Sequence, residues 1–310
     1  MDTKSRILIA AGENFAAEKL EHFLRKKGFR FVFTDKKEGA DLACQKQLGR
    51  IFSKSNPEYV FLFPVRSGGI AANIRYPADF CYYNTQALAG VIHHSYKMGV
   101  RKLLFLASSC VYPKHCPQPM REEYLLSGAP ESTNEAYSIA NIAAIKMCQA
   151  YNKQYKTRFI SAIPATVYGP GSHFDLENSH VISALIRKFH EAKAKVLPEV
   201  LVWGTGKARR EFIHIDDLMR ACLVLMGGYS GPDLINIGSG KDVSIAYLAM
   251  CIKEVSGFSG KVYFDRTKPE GTQRKLLDSR KIKKTGWKNR VTLLEGIRQT
   301  YRWYSRNEEK

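Results

Sequence analysis

Acidic residues are in short supply in this chain: 29 Asp and Glu face 48 Lys and Arg over 310 residues, a formal net charge of +19. Such an imbalance favours an anionic ligand, nucleic acid or an acidic membrane surface. The basic residues are dispersed, however, apart from Arg274-Lys275 and the stretch 280–288, and no nucleic-acid-binding motif accompanies them. Nucleic acid is therefore not expected as a partner. No apolar run reaches eighteen residues, which argues against a membrane-spanning helix. The opening Met1-Asp2-Thr3-Lys4-Ser5-Arg6 has no signal-peptide pattern, so a cytoplasmic chain is the expectation. The cysteines (Cys44, Cys81, Cys110, Cys116, Cys148, Cys222, Cys251) are odd in number, scattered and without metal-ligand spacing. Reduced thiols and no metal site follow. Internal repeats, low-complexity tracts and long linkers are also missing.

What is present is an alternation. Strand-like apolar runs at 7–10, 31–33, 59–63, 103–106 and 159–164 are interleaved with amphipathic helical patterns at 16–27 and 78–98. Strands alternating with helices imply an α/β fold with a doubly wound parallel sheet. Beyond Tyr168-Gly169-Pro170-Gly171 the alternation becomes irregular, and residues 210–236 are expected to return to the main sheet.

The stretch from Ser108 to Asn141 organises the chain. The run 103–106 places Ser108 at the carboxyl end of a buried strand, the edge where open α/β sheets bind ligands. Tyr137 and Asn141 lie one turn apart on the helix that follows. A Ser followed about thirty residues later by a Tyr opening a helix resembles the catalytic pair of short-chain dehydrogenases/reductases. The blocks SSCVYPK, STNEAYSIA, SHVISALIRKFHEA, VWGTGKARREFIHIDDL and KPEGTQRKLLD are similar to the GDP-L-fucose synthase family, NADPH-dependent 3,5-epimerase/4-reductases of sugar-nucleotide metabolism. That resemblance runs from about residue 6 to 304. It implies a Rossmann-type sheet (1–170 plus about 206–238) and a smaller, interleaved α/β substrate lobe (about 171–205 plus 239–310).

The cofactor half departs from the family. Ala11, Asn14 and Ala17 stand where the resemblance places three glycines that bring the backbone against a pyrophosphate. The side chain of Asn14 is expected to project where the diphosphate lies, with Glu13 adding a carboxylate. Phe63-Pro64-Val65 replaces small residues along the cofactor. Asn141 replaces the family's lysine, which meets the ribose hydroxyls and lowers the pKa of the proton-donating Tyr. Lys37 after the second strand is a candidate for an NADP 2′-phosphate, or simply solvated. A degenerate NADP(H) site, and no cofactor, is the expectation.

The substrate half is retained. By resemblance, Cys110 and His180 are the base and acid that move protons beside the C4 ketone, while Ser108 and Tyr137 hold the carbonyl oxygen. Lys188, Trp203, Arg210 and Glu270 stand at nucleotide-sugar contacts: Lys188 and Arg210 toward the diphosphate, Trp203 and Glu270 toward guanine. Plainer roles exist for each. Cys110 can be a small buried apolar group, His180 structural, Trp203 a core aromatic, and Arg210 a partner of Glu211 or Asp217.

Three functions remain open on these residues. The first is a GDP-4-keto-6-deoxyhexose epimerase without the reduction step. The second is a non-catalytic subunit pairing with an active homologue; a dimer through the helix carrying Tyr137 fits either. The third is an intact NADPH-dependent synthase.

Overall fold

The computed structural model describes residues 1–175, 179–231, 233–268 and 271–308. Its strands, in chain order, are β1 (Arg6–Ala10), β2 (Phe31–Thr34), β3 (Tyr59–Leu62), β4 (Lys102–Leu106), β5 (Phe159–Pro164), β6 (Thr166–Tyr168), β7 (Glu199–Trp203), β8 (Arg209–His214), β9 (Leu234–Ile237), β10 (Asp242–Ser244), β11 (Lys261–Asp265) and β12 (Arg274–Lys275). Strands as continuously apolar as Leu103-Leu104-Phe105-Leu106 must be covered on both faces. Helices at Phe15–Lys26, Gln45–Ser55, Pro77–Lys97, Glu135–Tyr155 and Ile215–Gly227 supply that cover.

Six strands pair in parallel in the order β2-β1-β3-β4-β5-β9. The chain works outward in one direction from β1 and then in the other from β3, so a crevice opens at their carboxyl ends. The turns after β1, β3 and β4 all face it. This is the doubly wound, Rossmann-type sheet that the alternation implied. Among the described residues, no helix is long and apolar enough to cross a membrane.

The return to this sheet is made by β9 alone. β8 turns away and builds a separate small sheet, parallel to β6 and β12 and antiparallel to β10. β7 and β11 form a two-stranded parallel pair. The apolar contacts divide accordingly. One core gathers Leu8, Phe61, Phe105 and Ile163 together with Leu277, Ile282 and Trp287. The other gathers Ile186, Phe189, Val202, Leu248, Ile252 and Ile297.

Two buried polar groups tie the late segment 276–280 down, Asn236 to the main sheet and Glu211 to β8 of the smaller one. Asn236, at 0% exposure on β9, donates from Nδ2 to the carbonyls of Met120 (2.9 Å) and Asp278 (3.3 Å). Its Oδ1 accepts from the Tyr112 hydroxyl at 2.6 Å, and its backbone N–H donates to Glu122 at 3.0 Å. Glu211 on β8 accepts from the backbone N–H groups of Leu277 (2.8 Å) and Gly240. Burial raises the Glu211 carboxyl above its ordinary pKa, and those two N–H donors work against the rise. Replacing Asn236 by Ala takes the partner from the Tyr112 hydroxyl and from the Asp278 carbonyl in the interior, while the Met120 carbonyl keeps the Asp278 N–H. Each buried polar group so stranded costs about 1–3 kcal/mol. Asn236→Ala is expected to lower unfolding stability by roughly 3 kcal/mol, read as a reduced urea midpoint with helix content unchanged.

Candidate active site

At the end of β4 the chain makes one tight turn, Ser109–Val111, capped by Ser108, whose Oγ accepts from the Cys110 N–H at 3.3 Å. This turn is fastened to the helix Glu135–Tyr155. Ser138 Oγ donates to the Cys110 carbonyl (3.0 Å), and Asn134 Nδ2 points at the Cys110 sulfur from 3.1 Å. From the opposite side, the Lys275 ammonium reaches the same sulfur at 3.7 Å. Lys275 is placed there by hydrogen bonds to the backbone of its own short segment. β12 pairs with β8, Leu276 donates to Gln118, and Met120 brackets Leu276 and Asp278 with two further hydrogen bonds.

The electrostatics follow from this packing. Burial opposes ionisation of the Cys110 thiol, but Lys275, Ser108 and Asn134 outweigh it, and its pKa lies below the ordinary value. Tyr137 goes the other way: burial and then the neighbouring Cys110 push its phenol well up, with Ser108 and Asn141 opposing. Its ring meets Phe80 edge-on at 6.2 Å. His180 stands at the N-cap position of the helix Val181–Ala194 without a side-chain cap bond; part of the residue is exposed, while its ring is desolvated by neighbouring protein. That desolvation, then Lys275 and His173, hold its imidazole below the usual pKa.

The structure therefore brings Ser108, Cys110 and Tyr137 into one cluster, and Lys275 acts on both Cys110 and His180. Neither Asn134 nor Lys275 is singled out by the sequence reading. Lys275 counts there only as part of a basic pair. Both nonetheless lie inside quoted blocks, STNEAYSIA and KPEGTQRKLLD, which was the available signal.

Farther out, Trp203 is 53% exposed, which rules out a core role. The ammoniums of Lys188 and Lys268 each lie 5.6 Å from its ring. Lys188 also donates to the Leu201 carbonyl (3.1 Å), and burial lowers its pKa. Arg210 is half-buried beside Gly271, where an added Cβ would stand 3.5 Å from its guanidinium. The plainer partners proposed for it are engaged elsewhere, Glu211 by backbone and Asp217 by Arg220, Arg290 and Val291. Glu270 falls outside the described residues.

In the cofactor half, Asn14 and Phe63 take other directions than their residue types suggest. The left-handed residue of the turn after β1 is Gly12 (φ +59°), not the one at Ala11. Ala11 and Gly12 instead donate to the buried Asp35 carboxylate at 3.0 and 2.8 Å. Asn14 does not project into the crevice. It caps the helix Phe15–Lys26, and its Oδ1 turns back to accept from Ala16 (3.0 Å) and Ala17 (3.4 Å). Ala17 is buried where helix meets sheet, and Phe63, 3% exposed, is absorbed by the main core. Asn141 donates to the Tyr137 carbonyl at 2.9 Å and leaves its buried Oδ1 without a partner. An orphaned acceptor beside the Tyr fits a hydroxyl donor such as a ribose.

Residues 7–238 match the family model of the NAD dependent epimerase/dehydratase family. GDP-L-fucose synthase 1 of Arabidopsis thaliana is 47% identical over 306 residues, covering 99% of this chain and 95% of that protein. A GDP-6-OMe-4-keto-L-xylo-heptose reductase from Campylobacter jejuni superposes with a TM-score of 0.92 at 36% identity, covering 99% of both chains. A GDP-mannoheptose C4 reductase of the same organism, solved with NADP bound, gives 0.89 at 36% identity, covering 98% of this chain and 99% of that one. These relatives overturn the expectation that no nicotinamide cofactor is used. The substitutions that prompted it are accommodated by the helix cap and the core.

One titration checks the electrostatics. The His180 imidazole, assigned through His180→Asn, is expected to titrate by NMR with a midpoint below 6.5. A midpoint at or above that value would contradict the combined action of burial and Lys275 on the imidazole.

Proposed function

Since this chain belongs to the NAD dependent epimerase/dehydratase family, as a nucleotide-sugar-modifying enzyme of the GDP-L-fucose synthase type, we propose that it carries out both halves of that chemistry: epimerisation of a GDP-4-keto-6-deoxyhexose, then NADPH-dependent reduction at C4. The observation that carries this reading is the opposed tuning of two adjacent groups, a thiol shifted down and a phenol shifted up. Environments that push neighbouring titratable groups apart assign a base and an acid.

The C4 ketone makes the C–H bonds on either side of it acidic. Cys110 takes one such proton on its sulfur, and the electron pair moves onto the C4 oxygen, held by Ser108 and Tyr137. His180 returns a proton to the carbon from the opposite face, inverting it. NADPH, when bound, supplies the hydride that reduces C4. Tyr137, kept protonated by burial, then gives its proton to the C4 oxygen. The orphaned Asn141 Oδ1 accepts from a ribose hydroxyl, and Lys37, just beyond β2 and paired with Glu21 here, is the candidate to meet a 2′-phosphate.

Two variants separate the halves. Tyr137→Phe is expected to abolish NADPH oxidation while solvent deuterium still enters the sugar. Cys110→Ser is expected to slow deuterium entry by roughly 10²–10⁴-fold. Asn141→Lys introduces a cation beside the phenol and should move the alkaline limb of reduction down by about 1–2 pH units. A wild-type protein that neither binds NADPH by calorimetry nor oxidises it with the keto-sugar would sink the proposal.

A further inference from the structure

Beside the thiol proposed to move a proton lies a group that the scheme above leaves idle. Lys275 arrives on β12, a strand of two residues, and its ammonium sits 3.7 Å from the Cys110 sulfur. Asn134 donates to that sulfur from the other side at 3.1 Å. A sulfur held between an ammonium and an amide N–H is solvated as an anion, although it is half-buried. The same charge also acts on the His180 imidazole.

We propose that Lys275 is a positioning residue that sets the ionisation of both members of the acid–base pair at once, with Asn134 as its helper at the sulfur. The inference deepens the proposed function and rests on it for the roles of Cys110 and His180. Among the described residues, the groups acting on Cys110 are Lys275 from β12, Ser108 on its own turn, and Asn134 and Tyr137 from the facing helix and its cap. Those acting on His180 are Lys275 and His173.

The signs can be worked out. A nearby cation favours the thiolate, so it lowers the pKa of Cys110. It disfavours the imidazolium, so it lowers that of His180 as well. Both displacements go toward acid; burial is the larger cause at His180, and Lys275 contributes to each. Removing the ammonium must therefore move both limbs of the pH profile in the same direction, toward alkali. A side chain that merely supports the fold would lower the plateau and leave both midpoints in place.

The test uses the full chain as wild type, Lys275→Met and Lys275→Arg. Alkylation of Cys110 by iodoacetamide is followed against pH by peptide mass spectrometry, with Cys110→Ser identifying the labelled peptide. Deuterium entry into GDP-4-keto-6-deoxymannose is measured over the same range. Lys275→Met is expected to raise the alkylation midpoint by about 1–2 pH units, to shift both limbs of exchange upward, and Lys275→Arg to restore most of both. An alkylation midpoint unmoved in Lys275→Met overturns the inference, even where wild-type exchange upholds the proposed function. A midpoint that moves while wild type shows no exchange upholds the control of the thiol and removes the reaction instead. If Lys275→Met loses the near-ultraviolet circular dichroism of wild type, Asn134→Ala takes its place for the sulfur, and an unmoved midpoint there overturns the inference equally.

Discussion

A buried carboxylate holds this site together. Glu211 is 2% exposed, and its oxygens are saturated by N–H groups from two separate segments, those at Gly240 and Leu277. Taking a carboxylate out of water is costly unless such donors replace the water. The 274–278 segment thus cannot drift from β8 without stranding a charge. Lys275 lies two residues from Leu277 and inherits that constraint. Asn236 fixes the other flank by binding the Met120 and Asp278 carbonyls, and Tyr112 closes the same knot. Apolar packing alone would tolerate a sliding of this segment, because two residues of β12 pairing supply little register. The hydrogen bonds are what make the approach of ammonium to thiol a fixed distance.

The same logic explains how the crevice absorbs substitutions. A side chain added at a helix start can project outward or turn back and cap, and Asn is among the best capping residues. Asn14 takes the second course. A large residue at a strand end can fill the cleft or the core, and Phe63 enters the core, which is where most of its apolar area leaves water. Asn141 alone keeps an unsatisfied atom. Local conformation, not residue identity, decides whether such a change obstructs a ligand.

The main sheet was legible because its strands are uniformly apolar and its helices periodic. The runs at 7–10, 103–106 and 159–164 fall within or upon β1, β4 and β5, and the pattern at 78–98 lies within one residue of Pro77–Lys97. The second sheet was not, because β6, β10 and β12 have two or three residues each, too few for any period to register. Ser108, Cys110 and Tyr137 were found through their words, and the structure gathers them. Lys275 was hidden for a physical reason. Its role comes from a backbone pairing with Arg210 and a contact 165 residues away in the chain, and neither leaves a local pattern.

The charge of the chain acquires a division of labour from this geometry. At the outer end, Lys188 and Lys268 cover the exposed Trp203 ring from 5.6 Å, an arrangement worth about 0.5–1 kcal/mol at an exposed site. On the proposed reading a guanine base stacks on that ring, and base–aromatic stacking is worth about 1–3 kcal/mol. On that reading the base replaces an ammonium on the ring at a net gain. Lys275 behaves oppositely. Its backbone is pinned by Glu211 and Asn236, and its charge faces a thiol, so it does not follow the ligand. On the proposed reading, the cations around Trp203 serve capture of the nucleotide and Lys275 serves ionisation at the sugar end.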